Sequence, residues 1–277
     1  MDICYDKWYS GALGREMEIK SYGRGGKPVL FIPCQNGRFF DFENFGMLDA
    51  WAPFLESGQA TVFSVDTLDA ETWSDKSGNP YWRIRRHEAW MRYLSEEVVP
   101  YIRAFCRSCG WQTDPGVMAF GCSLGATHAA NLYFRYPELF DELLALSGVY
   151  TVDYGFDGYM DEIAYLNSPL HYLPNLPVNH PYLELYRRHR AILCVGQGPW
   201  ELQDSTRELH RVLVEKGIPA WVDYWGLRRG ARLALVVQAG GLFRPRAFEI
   251  AQERSDPYEK RYFHLPQLPR ELLAVLP

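Results

Sequence analysis

A mostly parallel α/β sheet covered by helices on both faces is the fold class this sequence predicts, and three observations predict it. Short apolar runs recur between segments of helical period, the pattern of strands buried on both faces. Two extended segments at the N-terminus, joined by a glycine-containing turn, read as an antiparallel hairpin. At residues 117–136 a strand, a sharp glycine-flanked turn and a helix follow one another directly.

The elements can be justified in order. Residues 5–10 and 15–22 form the hairpin. After the break Arg24-Gly25-Gly26-Lys27-Pro28 comes the buried strand Val29-Leu30-Phe31-Ile32-Pro33, then a loop, a helix near 48–55 and a second buried strand at 60–65. The polar loop 66–81 leads into residues 83–106, where Trp90, Tyr93, Leu94, Val98 and Ile102 recur at three- and four-residue steps. Pro100 should kink or split that helix. Strand 117–120, helix 124–136 and strand 143–146 follow, then an irregular Tyr- and Pro-rich stretch at 150–190. Strand 191–195, helix 200–216 and strand 220–225 complete the alternation.

Composition narrows the class of function. The 277 residues are 47% hydrophobic and 15% aromatic, enough to fill a large core, which excludes a disordered chain. A net charge of -5 gives no reason to expect nucleic acid or an anionic membrane as partner. The first thirty residues lack a basic start followed by an apolar run, and no apolar stretch approaches the roughly 18 residues of a membrane span. A cytoplasmic protein is the expectation, and a homo-oligomer is compatible with it. Six cysteines in a chain this long read as free, mostly buried thiols. The Cys106/Cys109 pair lies at a helix end with no second pair to complete a zinc site, so no metal is expected.

The chemistry centres on Gly121-Cys122-Ser123-Leu124-Gly125. Strand, G-x-S-x-G turn and helix together make the nucleophile elbow of the α/β-hydrolase fold. The serine needs a strained backbone, and side chains at the flanking glycines would collide with the neighbouring strand and helix. The helix N-terminus directs free N–H groups at a developing oxyanion. One oxyanion donor in this fold is the N–H after the nucleophile, here Leu124; the other comes from the loop after an earlier strand, where Gln35 or Asn36 is placed. Chain order then asks for an acid and a histidine. Glu201, close behind the strand at 191–195, is favoured as the acid over Asp204, one helical turn on.

Residues 18–226 resemble the esterase D-like family of α/β-hydrolases, which includes S-formylglutathione hydrolases, feruloyl and siderophore esterases and mycolyltransferases. The matching pieces are VLFIPCQNGRFFDFENF, EEVVPYI ahead of GVMAFGCSLGATHAA, RYPELFDELLALSGVY, and ILCVGQGPWE before GIPAWVDYWG. The resemblance implies Ser123 as nucleophile, Gln35 and Leu124 as oxyanion donors and Glu201 as acid. It implies a small carboxylic ester as substrate and no cofactor. The alternatives are acyl transfer to an alcohol other than water, and a catalytically impaired or non-catalytic protein on the same scaffold.

That last alternative arises from the C-terminus. In the family the final strand leads into an H-D-W-type loop carrying the catalytic histidine, whereas here Asp223-Tyr224-Trp225-Gly226 runs into Leu227-Arg228-Arg229-Gly230. No histidine appears until His264, the one candidate by chain order. Residues 1–226 carry 20 basic and 29 acidic side chains, residues 227–277 carry 9 and 5, and all nine tryptophans precede the break. We therefore divide the chain into a hydrolase domain, 1–226, and an atypical segment, 227–277. A reading-frame slip is one hypothesis for the break: permitted codons for the residues from Leu227, read one base later, spell Tyr-Asp-Val-Ala-His-Asp-Trp-Pro-Trp-Trp. The other is a natural variant in which His264 supplies the base.

Overall fold

The computed structural model describes residues 1–112, 114–199 and 201–225; the segment 227–277, with His264, lies outside the described residues. The strands are β1 (Ile3–Ser10), β2 (Arg15–Tyr22), β3 (Lys27–Ile32), β4 (Ala60–Val65), β5 (Val117–Cys122), β6 (Phe140–Leu146), β7 (Arg190–Gly196) and β8 (Trp221–Trp225). They form one sheet in the order β1-β2-β4-β3-β5-β6-β7-β8. β1 and β2 pair antiparallel, β2 meets β4 antiparallel, and every pairing from β4 through β8 is parallel.

Alternation along each strand sorts the core into two layers. Leu30 and Ile32 of β3 face one side, with Ala119 of β5 and Leu193 of β7. Val29 and Phe31 face the other, with Met118 and Phe120. On the second face lie α1 (Asp41–Asn44) and α2 (Met47–Glu56), whose Phe42 and Trp51 pack against Phe31 and Phe120. Each such ring, fully buried, contributes about 1.5–3 kcal/mol of transfer free energy.

The first face carries a long helical run: α3 (Pro80–Arg92), a π-helical stretch over Tyr93–Val98, and α4 (Val99–Ser108). Pro100 falls in the first turn of α4, where a missing N–H is tolerated. The break expected at this proline is therefore taken up in the residues before it. Next come α5 (Leu124–Arg135), α6 (Asp153–Phe156), α7 (Glu162–Leu166), α8 (Pro169–Tyr172), α9 (Pro181–Arg188) and α10 (Gln203–Lys216). The stretch read as irregular thus contains four short helices, two of them opened by proline. No described helix is long and apolar enough to cross a membrane.

The topology also fixes where a site belongs. From β3 the chain goes to β4 on one side, and then returns to β5 on the other. Loops leaving adjacent parallel strands in opposite directions open a crevice at their carboxyl ends. β3 and β5 are those strands, with Ile32 opposite Gly121.

Candidate active site

Ser123 stands alone between β5 and α5 with φ 55° and ψ -125°, a conformation most side chains avoid and one that marks strained functional turns. Its side chain is exposed. Its N–H is tied to Leu146 O at 2.8 Å. The flanking glycines are demanded by contact: a Cβ on Gly121 would lie 2.2 Å from Gly125 O, and one on Gly125 would lie 2.2 Å from Ile32 O and 2.3 Å from Pro33 O. Helix α5 thus presses its first turn directly on the end of β3. The side chain of Leu124 is locked among Trp73, Val152 and Phe156, and as the first residue of α5 it has no intrahelical acceptor for its N–H.

The loop after β3 faces this elbow. Gly37 N–H closes a turn onto Cys34 O at 2.8 Å. Asn36, at φ 60°, donates its N–H to Asp69 Oδ2 at 3.1 Å. The Gln35 N–H has no partner among the described residues, while its side chain donates to Ser74 Oγ at 2.7 Å. Of the two residues singled out in the sequence, Gln35 is therefore the one whose amide is free. The loop is pinned further by residues just after β4: Thr67 N–H and Oγ1 both donate to Gly37 O at 3.1 Å, and Arg38 Nε and Phe39 N–H both donate to Asp66 Oδ1 at 2.8 Å.

Two thiols lie between loop and elbow. Cys122 donates to Cys34; this contact holds the Cys34 thiol below its ordinary value. The same bond, with burial second, pushes Cys122 well up, and the charge of Glu201 adds to that. Glu201 therefore reaches the neighbourhood of the elbow. Its Oε1 would be 2.5 Å from a Cβ on Gly196, so the glycine ending β7 makes room for the carboxylate. Asp204 is exposed in the first turn of α10. Both acids line an open cleft of about 510 Å³ with Val149, Thr151, Tyr154 and Ser205 among its walls. The Glu201 loop is joined to the last described strand by Gln197 N–H to Trp225 O, 2.9 Å.

The histidines are distributed otherwise. His128 is fully buried on α5, its Nε2 2.9 Å from Asp69 Oδ1. His87 is buried beside it, with ring centroids 5.0 Å apart. His171 bonds Ser168, His180 caps α9, and His210 faces Tyr224. None of the six histidines before His264 hydrogen-bonds Ser123 or Glu201 among the described residues. No group of three or more His, Cys, Asp or Glu able to hold a metal occurs among them either. Asp69 was not singled out in the sequence. The available signal is the doubled carboxylate of Val65-Asp66-Thr67-Leu68-Asp69, directly after a strand next to β3.

The family model described as "Putative esterase" matches residues 10–219. The chain belongs to the esterase family. Solved structures share the α/β-hydrolase fold at low identity. A ferulic acid esterase from Anaeromyces mucronatus superposes with TM-score 0.59 at 10% identity, covering 82% of this chain and 83% of that one. The S-formylglutathione hydrolase of Agrobacterium tumefaciens gives 0.60 at 14%, covering 81% and 87%. The fluorophosphonate-binding serine hydrolase F of Staphylococcus aureus gives 0.58 at 11%, covering 81% and 91%. No curated protein matches. This esterase-family chain thus places the Ser123 turn, the loop after β3 and Glu201 at the carboxyl ends of neighbouring strands.

Proposed function

We propose that this chain is a serine hydrolase that cleaves a small carboxylic ester through an acyl-Ser123 intermediate. The observation that carries the reading is the pairing of a strained, exposed Ser123 with two free N–H groups, those of Leu124 and Gln35, on neighbouring strand ends. Ser123 Oγ attacks the acyl carbon while a histidine takes its proton. The carbonyl oxygen gains the charge and is held by the two N–H groups. The alkoxide leaves with the histidine's proton, and water then cleaves the acyl-serine by the same steps in reverse order. Glu201 orients that histidine. The histidine must enter from beyond Trp225, and His264 holds that place in chain order.

A second reading, an impaired hydrolase, is favoured by one observation: none of the described histidines reaches Ser123 or Glu201. Hydrolysis of p-nitrophenyl acetate by the wild-type chain and by Ser123→Ala separates the two. Steady turnover that Ser123→Ala reduces to background supports the hydrolase. A single burst without turnover supports the impaired form, and identical background rates in both proteins overturn the acyl-serine reading.

A further inference from the structure

Asp69 is a carboxylate only 1% exposed, and it joins the two halves of the proposed oxyanion hole. Its Oδ2 accepts the N–H of Asn36 on the loop after β3, and its Oδ1 accepts from Nε2 of His128 on α5. Loop and helix carry the two free donors: Gln35 precedes Asn36, and Leu124 opens α5. The backbone that carries the carboxylate is itself fixed. The main-chain carbonyl of Asp69 accepts N–H groups from Thr72 at 3.0 Å and Ser74 at 2.8 Å, and Ser74 also receives the Gln35 side chain.

A buried carboxylate is costly to desolvate, and an apolar residue of similar size generally packs as well or better. What an apolar residue cannot do here is hold Asn36 at φ 60°, a left-handed conformation that asparagine tolerates but does not prefer. With that amide turned inward to Asp69, the preceding amide, that of Gln35, is left without a protein partner. His128 completes the arrangement from its Nε2, the ring nitrogen that meets Oδ1, while its Nδ1 is buried with no hydrogen-bond partner.

We propose that Asp69 is a positioning residue for ester hydrolysis, setting the separation of the Gln35 and Leu124 N–H groups by bridging their two backbones through Asn36 and His128. The proposal rests on the hydrolase reading above. It implies that asparagine is not a substitute. An amide at 69 offers one oxygen, so either Asn36 or His128 loses its acceptor, or His128 moves its proton to Nδ1 and leaves a buried N–H without a partner.

The test is Asp69→Asn against wild type, with three readouts. The first is kcat and KM on p-nitrophenyl acetate, counted per Ser123 labelled by a fluorophosphonate. The second is the inhibition constant of phenylboronic acid, which forms a tetrahedral adduct on serine. A mis-set hole lowers kcat by about 10²-fold and weakens the boronate by a similar factor, with KM within about twofold. A merely structural role lowers the melting temperature and the labelled fraction but leaves kcat and the boronate constant of that fraction at wild-type values; this result overturns the proposal. The third readout needs no variant, so it decides the matter should Asp69→Asn fail to fold. In the wild-type chain the Asn36 amide should exchange with deuterium at least about tenfold more slowly than the Gln35 amide, although both residues are exposed. Equal exchange overturns the anchor. A wild-type chain that neither turns over nor binds boronate overturns the hydrolase reading instead, and the exchange measurement still judges Asp69.

Discussion

Two imidazoles, two indoles and a carboxylate share the space between α3, α5 and the loop after β4. His87, His128, Trp73 and Trp90 lie with ring centroids 5.0–5.8 Å apart, and Asp69 bonds the second imidazole. Burial above all, and then the charge of Arg135, hold His87 well below its ordinary pKa of 6.5. The unfolded chain therefore takes up a proton below about pH 6.5 that the native chain refuses. Stability from this residue is complete above that pH and declines as pH falls beneath it, by about 1.4 kcal/mol per pH unit. Replacing the ring by an apolar one, His87→Phe, should flatten the stability profile between about pH 5 and 6.5 by that slope. Urea denaturation of both proteins at several pH values checks it. An unchanged slope would mean that His87 titrates normally in the fold.

At the scale of elements, the contact between α5 and β3 governs how closely Ser123 approaches the loop after β3. Gly125→Ala places a methyl against two backbone carbonyls of the β3 end, atoms that cannot swing aside. We expect a stability loss of about 1–3 kcal/mol, together with reduced esterase rate as α5 is pushed off β3. Thermal melting and the p-nitrophenyl acetate assay report the two effects. Such contacts also explain what the sequence discloses. β4 was legible to the residue because every position in Ala60–Val65 is buried and thus apolar or small. The sharp turn at Ser123 between β5 and α5 was legible because a strained turn restricts the residue types around it. The helices α8 and α9 were hidden: Pro169 and Pro181 read as breaks in a Tyr-rich stretch, yet each stands at a helix start. Asp69 left no local trace, because its partners are 33 and 59 residues away and a carboxylate in a polar loop looks solvated until the fold buries it.

At the scale of the whole molecule, the end of β8 is where the described fold meets the change in the chain's composition. β8 ends at Trp225 beside the Glu201 loop, the place from which the family's histidine would come, and there the charge balance of the chain reverses. If a frame slip produced that reversal, nucleotide sequencing should find codons for Leu227 to Val236 that spell Tyr-Asp-Val-Ala-His-Asp-Trp-Pro-Trp-Trp one base later. The histidine then arises from Ala231 and Arg232. Codons that cannot spell it assign the segment to a natural variant and give His264→Gln the task of testing the base.

The sheet order carries a consequence for how such a chain is made. From β5 onward each new strand is added outside the one before it, and β8, the last described strand, pairs only with β7 among the described strands. During synthesis on the ribosome the elbow, the loop after β3 and the Asp69 bridge can all close while β8 is still in the exit tunnel. A change in the codons beyond Trp225 therefore reaches sheet elements already assembled, so that sequence there can vary while the strands before it keep their pairing.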